Sequence, residues 1–178
     1  MKGHLPPEQD LKFEDGDERL FSLHAETTDK IVLFASNGRF FTIGANNLPG
    51  GRGMGEPVRL MVDLPNEAAI LALFVHKPGT RLLLASSEGD GFVVASDDVI
   101  AQTRGGKAVL TVRDGAQARV CRPVAGDHIA VVGENRKVLV FALDELTQLH
   151  LHRFRKKDGI LLGLALCLDL LNPTFGGV

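Results

Sequence analysis

The chain has 178 residues, of which 44% are hydrophobic and 24% charged. That is enough to bury a core in one large or two small domains, and it excludes wholesale disorder, a collagen-like rod and a coiled coil. Twenty Lys and Arg against 22 Asp and Glu leave a net charge of −2, so composition announces no nucleic-acid partner and any anion-binding surface must be local.

Residues 1–30 hold eight acids against four bases, a balance of −4, which leaves +2 for residues 31–178. Residues 1–16 read as a linker or the end of a preceding unit, with Glu14, Asp15, Asp17 and Glu18 on a solvated stretch. No apolar signal core follows Met1. The longest apolar stretch, Ile160 to Leu171, is too short for a membrane span and contains Asp169. With only Cys121 and Cys167 a disulfide framework is not expected, and the reading is a soluble, cytoplasmic protein with no membrane partner.

From residue 17 onward the chain repeats itself with a period near 50. Lys30 to Ile43 matches Arg81 to Val94 and, more weakly, His128 to Phe141. Each copy sets two short runs rich in Val, Ile, Leu and Phe around a turn holding Gly38, Gly89 or Gly91, or Asn135, the pattern of a β-hairpin. An apolar stretch precedes each hairpin (Leu20 to Leu23, Ala69 to Val75, Ala118 to Val124). The first two hairpins are followed by segments alternating with period two, Val58 to Val62 and Ala108 to Val112, which predict a further strand each. Helix signals are poor, because the runs are short and broken by 20 Gly and 8 Pro. The expectation is an all-β array of about three four-stranded antiparallel blades, at residues 17–64, 66–113 and 116–155. A small sheet cannot bury its own apolar face and must stack on its neighbours. Three blades are fewer than a closed propeller needs, which predicts an open arc or a fragment of a larger array. Residues 156–178 read as a divergent tail without a role beyond packing.

Two Gly-rich basic loops occupy equivalent places after the first and second hairpins: Gly50-Gly51-Arg52-Gly53-Met54-Gly55-Glu56-Pro57 and Gln102-Thr103-Arg104-Gly105-Gly106-Lys107-Ala108. Glycine permits positive φ and close approach, and Arg and Lys supply donors suited to phosphate oxygens. The competing reading is a pair of permissive turns on a blade rim. Neither loop ends in the Gly-Lys-Ser/Thr that opens the helix of a nucleotide-binding P-loop.

These segments carry a resemblance. Leu82 to Val112, with Ala85-Ser86-Ser87-Glu88-Gly89-Asp90-Gly91-Phe92-Val93-Val94 and Gln102 to Lys107, is similar to the C-terminal domain of the A subunit of bacterial DNA topoisomerase IV. Gly51 to Pro57 resembles that subunit's Arg-Gly-x-Gly-Glu-Pro loop, and Val131 to Phe141 resembles its next blade. The likeness covers residues 1–149. It implies a β-pinwheel, a propeller-like array related to the gyrase A C-terminal domain. It also implies a non-catalytic domain that binds and bends duplex DNA on its outer rim and presents it for strand passage. The gyrase A box, of Gln-Arg-Arg-Gly-Gly-Lys-Gly type, is degenerate at Gln102 to Ala108, which favours topoisomerase IV and modest bending over a full wrap. After Leu149 the expected third loop is replaced by His150-Leu151-His152-Arg153-Phe154-Arg155-Lys156-Lys157.

With no Tyr in the chain, tyrosyl cleavage chemistry must lie elsewhere in the parent protein. The resemblance implies an ATP-dependent type IIA topoisomerase working with its B subunit. The expected partners are double-stranded DNA, the rest of the A subunit and the ATPase B subunit, in the cytoplasm at the nucleoid, with no cofactor for this domain. The candidate DNA-binding residues are Arg39, Arg52, Arg104, Lys107, Arg136 and Lys137, which come from turns and loops at corresponding blade positions and could track phosphates as a stripe.

Two other readings compete with this one. A protein-interaction propeller without DNA binding would rest on the near-neutral charge and the acidic N-terminal segment. A propeller enzyme would need polar groups converging on a channel, and no His, Asp and Ser set repeats or converges. His150 and His152 lack partners in a metal-ligand spacing and read as surface residues, with no metal expected. Asp97, Asp98, Asp144 and Glu145 recur with the repeat and read as turn caps, and Cys121 reads as an inert core thiol.

Overall fold

The computed structural model describes residues 20–50, 55–132, 138–148 and 164–168. Three hairpins form where the repeat puts them. They are β1 (Lys30–Ala35) with β2 (Arg39–Gly44), β4 (Arg81–Ser86) with β5 (Gly91–Ala95), and β8 (His128–Val132) with β9 (Val138–Ala142). In the first, Ile31 lies opposite Ile43 and Phe34 opposite Phe40. Gly38 and Gly89 take φ of +76° and +86°, as the turns require. Asn135 lies outside the described residues.

The other strands are β3 (Ile70–Val75), β6 (Lys107–Ala108), β7 (Ala118–Pro123) and β10 (Leu164–Leu168). Among the described residues every pairing is antiparallel, in three sheets ordered β3-β1-β2-β6, β5-β4-β7 and β10-β8-β9. The fold is all-β, as expected. The apolar stretch preceding the second and third hairpins does not join its own hairpin. It pairs with the first strand of the hairpin before it, β3 on β1 and β7 on β4. The sheets are therefore assembled across the boundaries of the sequence repeats. Leu164–Leu168, within the stretch that reads as a tail, takes the same place on β8.

Three expectations are corrected. Leu20 to Leu23 is not a strand, because no earlier hairpin in the described residues offers it an edge. Val58 to Val62 is a helical turn, α1 (Val58–Met61), entered from Pro57 and closed by the Val62 amide donating to the Val58 carbonyl at 3.0 Å. Val58, Met61 and Val62 pack on the core while Leu60 is 66% exposed, an i, i+3, i+4 spacing that fits a helix and not a strand. Of Ala108 to Val112 only the first residue is in a strand. The amides of Val109 and Leu110 both donate to the Gly38 carbonyl, so the chain bends over the first hairpin turn.

The sheets pack by alternation along their central strands. Val32, Phe34 and Phe40 face Leu82, Leu84 and Val99 between the first and second sheets, where the Phe34 and Phe40 rings lie 4.5 Å apart. Leu33, Ala35, Phe41 and Ile43 turn the other way, onto α1 and Leu64. In the second sheet Leu83 and Ala85 face Ile129 and Val131 of the third, with Leu143 and, from the turn α2 (Glu145–Gln148), Leu146. Residues 31–35 are buried on both faces. Burying each large side chain contributes about 2–3 kcal/mol, which makes sheet stacking the main source of stability.

Candidate nucleic-acid interface

The second Gly-rich loop is built onto the β2 edge of the first sheet. β6 pairs with β2 through Arg39 opposite Ala108 and Phe40 opposite Lys107. Gly106, at φ +71°, lies so close to β2 that a Cβ there would sit 2.6 Å from the Phe40 carbonyl oxygen and 2.7 Å from the Phe41 ring. The Ala101 amide donates to Thr42 Oγ1 at 3.0 Å, fixing the start of the loop.

The loop brings together three of the six candidate cations. Arg39 donates from Nε to the Gly105 carbonyl at 3.1 Å and from Nη2 to the Gly106 carbonyl at 3.2 Å. Its planar fork thus grips two successive peptide carbonyls from the neighbouring repeat. Arg104 donates from Nη2 to the Leu60 carbonyl at 2.6 Å and lies 3.8 Å from Asp63 Oδ1. The Asp63 amide in turn donates to the Arg104 carbonyl at 2.9 Å. The Arg104 side chain is 64% exposed, so that ion pair contributes little and its remaining N–H groups face water. Lys107 is exposed, and its Nζ donates to the Asp98 carbonyl. Arg39 is thus a clamp for the loop, and Arg104 and Lys107 are the cations presented by it. Nothing in the sequence marked Arg39 for this role, since the carbonyls it holds are 66 and 67 residues away.

Arg52, Arg136 and Lys137 lie outside the described residues, as do His150, His152 and the basic run Arg153 to Lys157. The second hairpin's turn carries acids. Glu88 and Asp90 lie 3.8 and 3.5 Å from the guanidinium of Arg113, so that turn adds no free positive charge corresponding to Arg39. Of the recurring acids, Asp97 Oδ2 accepts from the Gly79 amide at 3.0 Å, which is a turn-closing role. Burial pushes the Cys121 thiol up to about 12, leaving it protonated and unreactive near neutrality. No helix among the described residues is long and apolar enough to cross a membrane.

No protein-family model matches the chain. Individual proteins do. The A subunit of DNA topoisomerase 4 from Rickettsia bellii is 47% identical over 149 residues, 84% of this chain and 20% of that protein. Its Caulobacter vibrioides counterpart is 43% identical over 148 residues, 83% of this chain and 19% of that protein. Among solved structures, the E. coli ParC C-terminal domain superposes with a TM-score of 0.70 at 28% identity, over 76% of this chain and 56% of that one. A C-terminal domain of DNA topoisomerase IV shares the fold, with a TM-score of 0.67 at 17% identity, over 77% of this chain and 45% of that one. The chain belongs to the C-terminal domain family of the topoisomerase IV A subunits. Its sheets are those of the β-pinwheel. The chain spans about a fifth of the length of the full proteins it matches. In this chain the loop Gln102 to Ala108 sits at a sheet edge and is held by the neighbouring repeat.

Proposed function

We propose that this C-terminal domain binds duplex DNA along the outer edges of its sheets, bends it modestly, and presents it for strand passage by a type IIA topoisomerase. The observation that carries the reading is the loop Thr103 to Lys107. It is fixed on the edge of the first sheet by Arg39 and by the β2–β6 pairing, with Arg104 and Lys107 exposed. A cation already held in place loses less entropy when it meets a phosphate, so a rigid basic loop is a better backbone contact than a free one. Arg52, Arg136 and Lys137 extend the proposed contacts at the corresponding loop and turn of the other repeats. The partners in this reading are the rest of the A subunit and the ATPase B subunit, at the nucleoid, with cleavage and ATP hydrolysis performed outside a chain that has no Tyr.

The test is binding to unrelated duplexes across a salt series. The logarithm of affinity should fall linearly with the logarithm of salt, by about 0.9 per phosphate neutralised. Arg104→Glu with Lys107→Glu should flatten that slope by about 2 and weaken all sequences alike. Arg39→Lys keeps the charge but loses the fork, and should weaken binding through loop placement. Binding independent of salt, or loss confined to one sequence, would refute the reading.

A further inference from the structure

The first sheet ends on β6 at one edge and β3 at the other, and β7 is an edge of the second sheet. The basic loop occupies the β6 edge. At the opposite edge β3 and β7 border a half-open trough of about 860 Å³, lined by Leu71 to Val75 and by Arg119 to Pro123. The His76 amide donates to the Lys30 carbonyl at 2.8 Å, which sets the phase of the β1–β3 ladder. Phe74 therefore bonds to β1, while Leu73 and Val75 direct their N–H and C=O groups away from it. On β7 the bond from the Val124 amide to the Arg81 carbonyl, also 2.8 Å, leaves Cys121 in the same position. No strand pairs with these groups among the described residues.

The two edges differ in how they are protected. An edge strand is ordinarily kept from further pairing by a charge, a proline or a bulge. β7 reads Ala-Arg-Val-Cys-Arg-Pro and has charges and a proline. β3 reads Ile-Leu-Ala-Leu-Phe-Val and has neither; its register shift lies at the Ile70 end and leaves Leu73 to Val75 regular. β3 is thus the strand open to a partner, and the charges around it select which. Lys77, Arg119 and Arg122 line the trough, are exposed, and have no ion-pair partner among the described residues. No carboxylate lines it among the described residues.

We infer that the β3 edge is a docking site for an extended, acidic segment of another protein, added as a further strand. Its backbone pairs with Leu73 and Val75, its apolar side chains lie on the trough's apolar lining, and its carboxylates meet Lys77, Arg119 and Arg122. The peptide groups of a strand edge call for peptide N–H and C=O, which duplex DNA lacks. A second copy joined through the same edge would bring like cations together. The inference does not depend on DNA binding, because the trough and the basic loop lie at opposite edges of the first sheet.

The probe is a fluorescein-labelled ten-residue peptide alternating Glu and Val, with blocked ends, titrated with the whole chain and read by fluorescence anisotropy. Its Lys and Val counterpart should not bind. Arg119→Glu with Arg122→Glu should weaken binding of the Glu peptide about tenfold at low salt, a size set by the loss of two exposed ion pairs and their reversal. Arg119→Ala with Arg122→Ala should move the same way by less, and circular dichroism confirms that both variants are folded. Methylating every backbone nitrogen of the Glu peptide keeps its charge, removes its donors, and should abolish binding. Bound peptide should slow amide exchange at Leu73 and Val75 while leaving Phe74, already bonded to β1, unchanged. Equal affinity for the Glu and Lys peptides, or equal affinity of the parent chain and both arginine variants, would overturn the inference. So would undiminished binding of the methylated peptide, which would reduce the contact to charge alone. Slowing of the same two amides by protein concentration without peptide would assign the edge to a second copy, and slowing by duplex DNA would assign it to DNA; either overturns the inference.

Discussion

Gly38→Ala tests the crossing on which the candidate interface is built. Gly38 sits at φ +76°, and a Cβ there would lie 1.9 Å from the Leu110 carbonyl oxygen. The opposing atom is backbone, so no rotamer change relieves the contact, and the strand crossing from β6 must lift off the first hairpin. Two costs add. A non-glycine residue in the left-handed region costs about 1–2 kcal/mol. Lifting the chain loses the hydrogen bonds from the Val109 and Leu110 amides to the Gly38 carbonyl, at about 1 kcal/mol each. The expected loss is therefore about 3–4 kcal/mol, a large fraction of a typical domain's stability.

Gly79→Ala is the matched control, since Gly79 has φ +73° but nothing within 4 Å of its built Cβ. It should lose only the backbone part, about 1–2 kcal/mol. Urea unfolding at unchanged m-value reads both. The difference between them, about 2 kcal/mol, isolates the crossing from the turn. Equal losses at the two glycines would show that the β6 segment does not lie over the first hairpin, and the placement of Arg104 and Lys107 on that edge would fall with it.

Two further outcomes follow from packing and burial. If Val58–Met61 is helical, Val62→Ala should cost about 2 kcal/mol because Val62 is 2% exposed, whereas Leu60→Ala should change stability by less than about 0.5 kcal/mol; similar losses in urea unfolding would restore a strand with both residues on one face. Cys121, raised from 9.0 to about 12 in the folded chain, keeps its proton where the unfolded thiol has lost it. Stability from this group is therefore whole below pH 9 and falls as pH rises toward 12, by about 1 kcal/mol between pH 9 and 10. A Cys121→Val variant should lack that increment, and parallel pH curves for the two proteins would refute the burial of the thiol.

The hairpins were legible because their information is local. Gly38 and Gly89 announce turns, and runs such as Ile31 to Phe34 and Leu82 to Ala85 are apolar enough to be buried on both faces. What the runs do not encode is the partner strand. Ile70–Val75 is apolar at every position and so reads as a strand without naming a face or a neighbour, and the choice of β1 over β4 is made by the whole stack, across more than thirty residues of chain. Val58 to Val62 was misleading for a related reason. Five residues satisfy period two and period 3.6 almost equally, and Pro57, which presets the φ of a helix entrance, decided between them. The candidate site divides along the same line. Arg104 and Lys107 were visible as cations in a Gly-rich loop, and Arg39, a cation beside a turn, was indistinguishable from them until its carbonyl partners were in view.

That division bears on how such a domain can hold a stiff polyanion. Because β6 belongs to the second repeat by sequence and to the first sheet by pairing, the loop carrying Arg104 and Lys107 leaves the second sheet after β5 and is fixed at both ends on β2 of the first. The positions of its charges are then set by sheet stacking and not by loop conformation. A mutation that loosens the stack, such as one at Phe34 or Leu84 between the first two sheets, moves the loop without touching a charge. Binding should therefore weaken at constant salt slope after core mutations, while charge reversal at Arg104 and Lys107 changes the slope itself. The two signatures separate loss of contacts from loss of the frame that aims them.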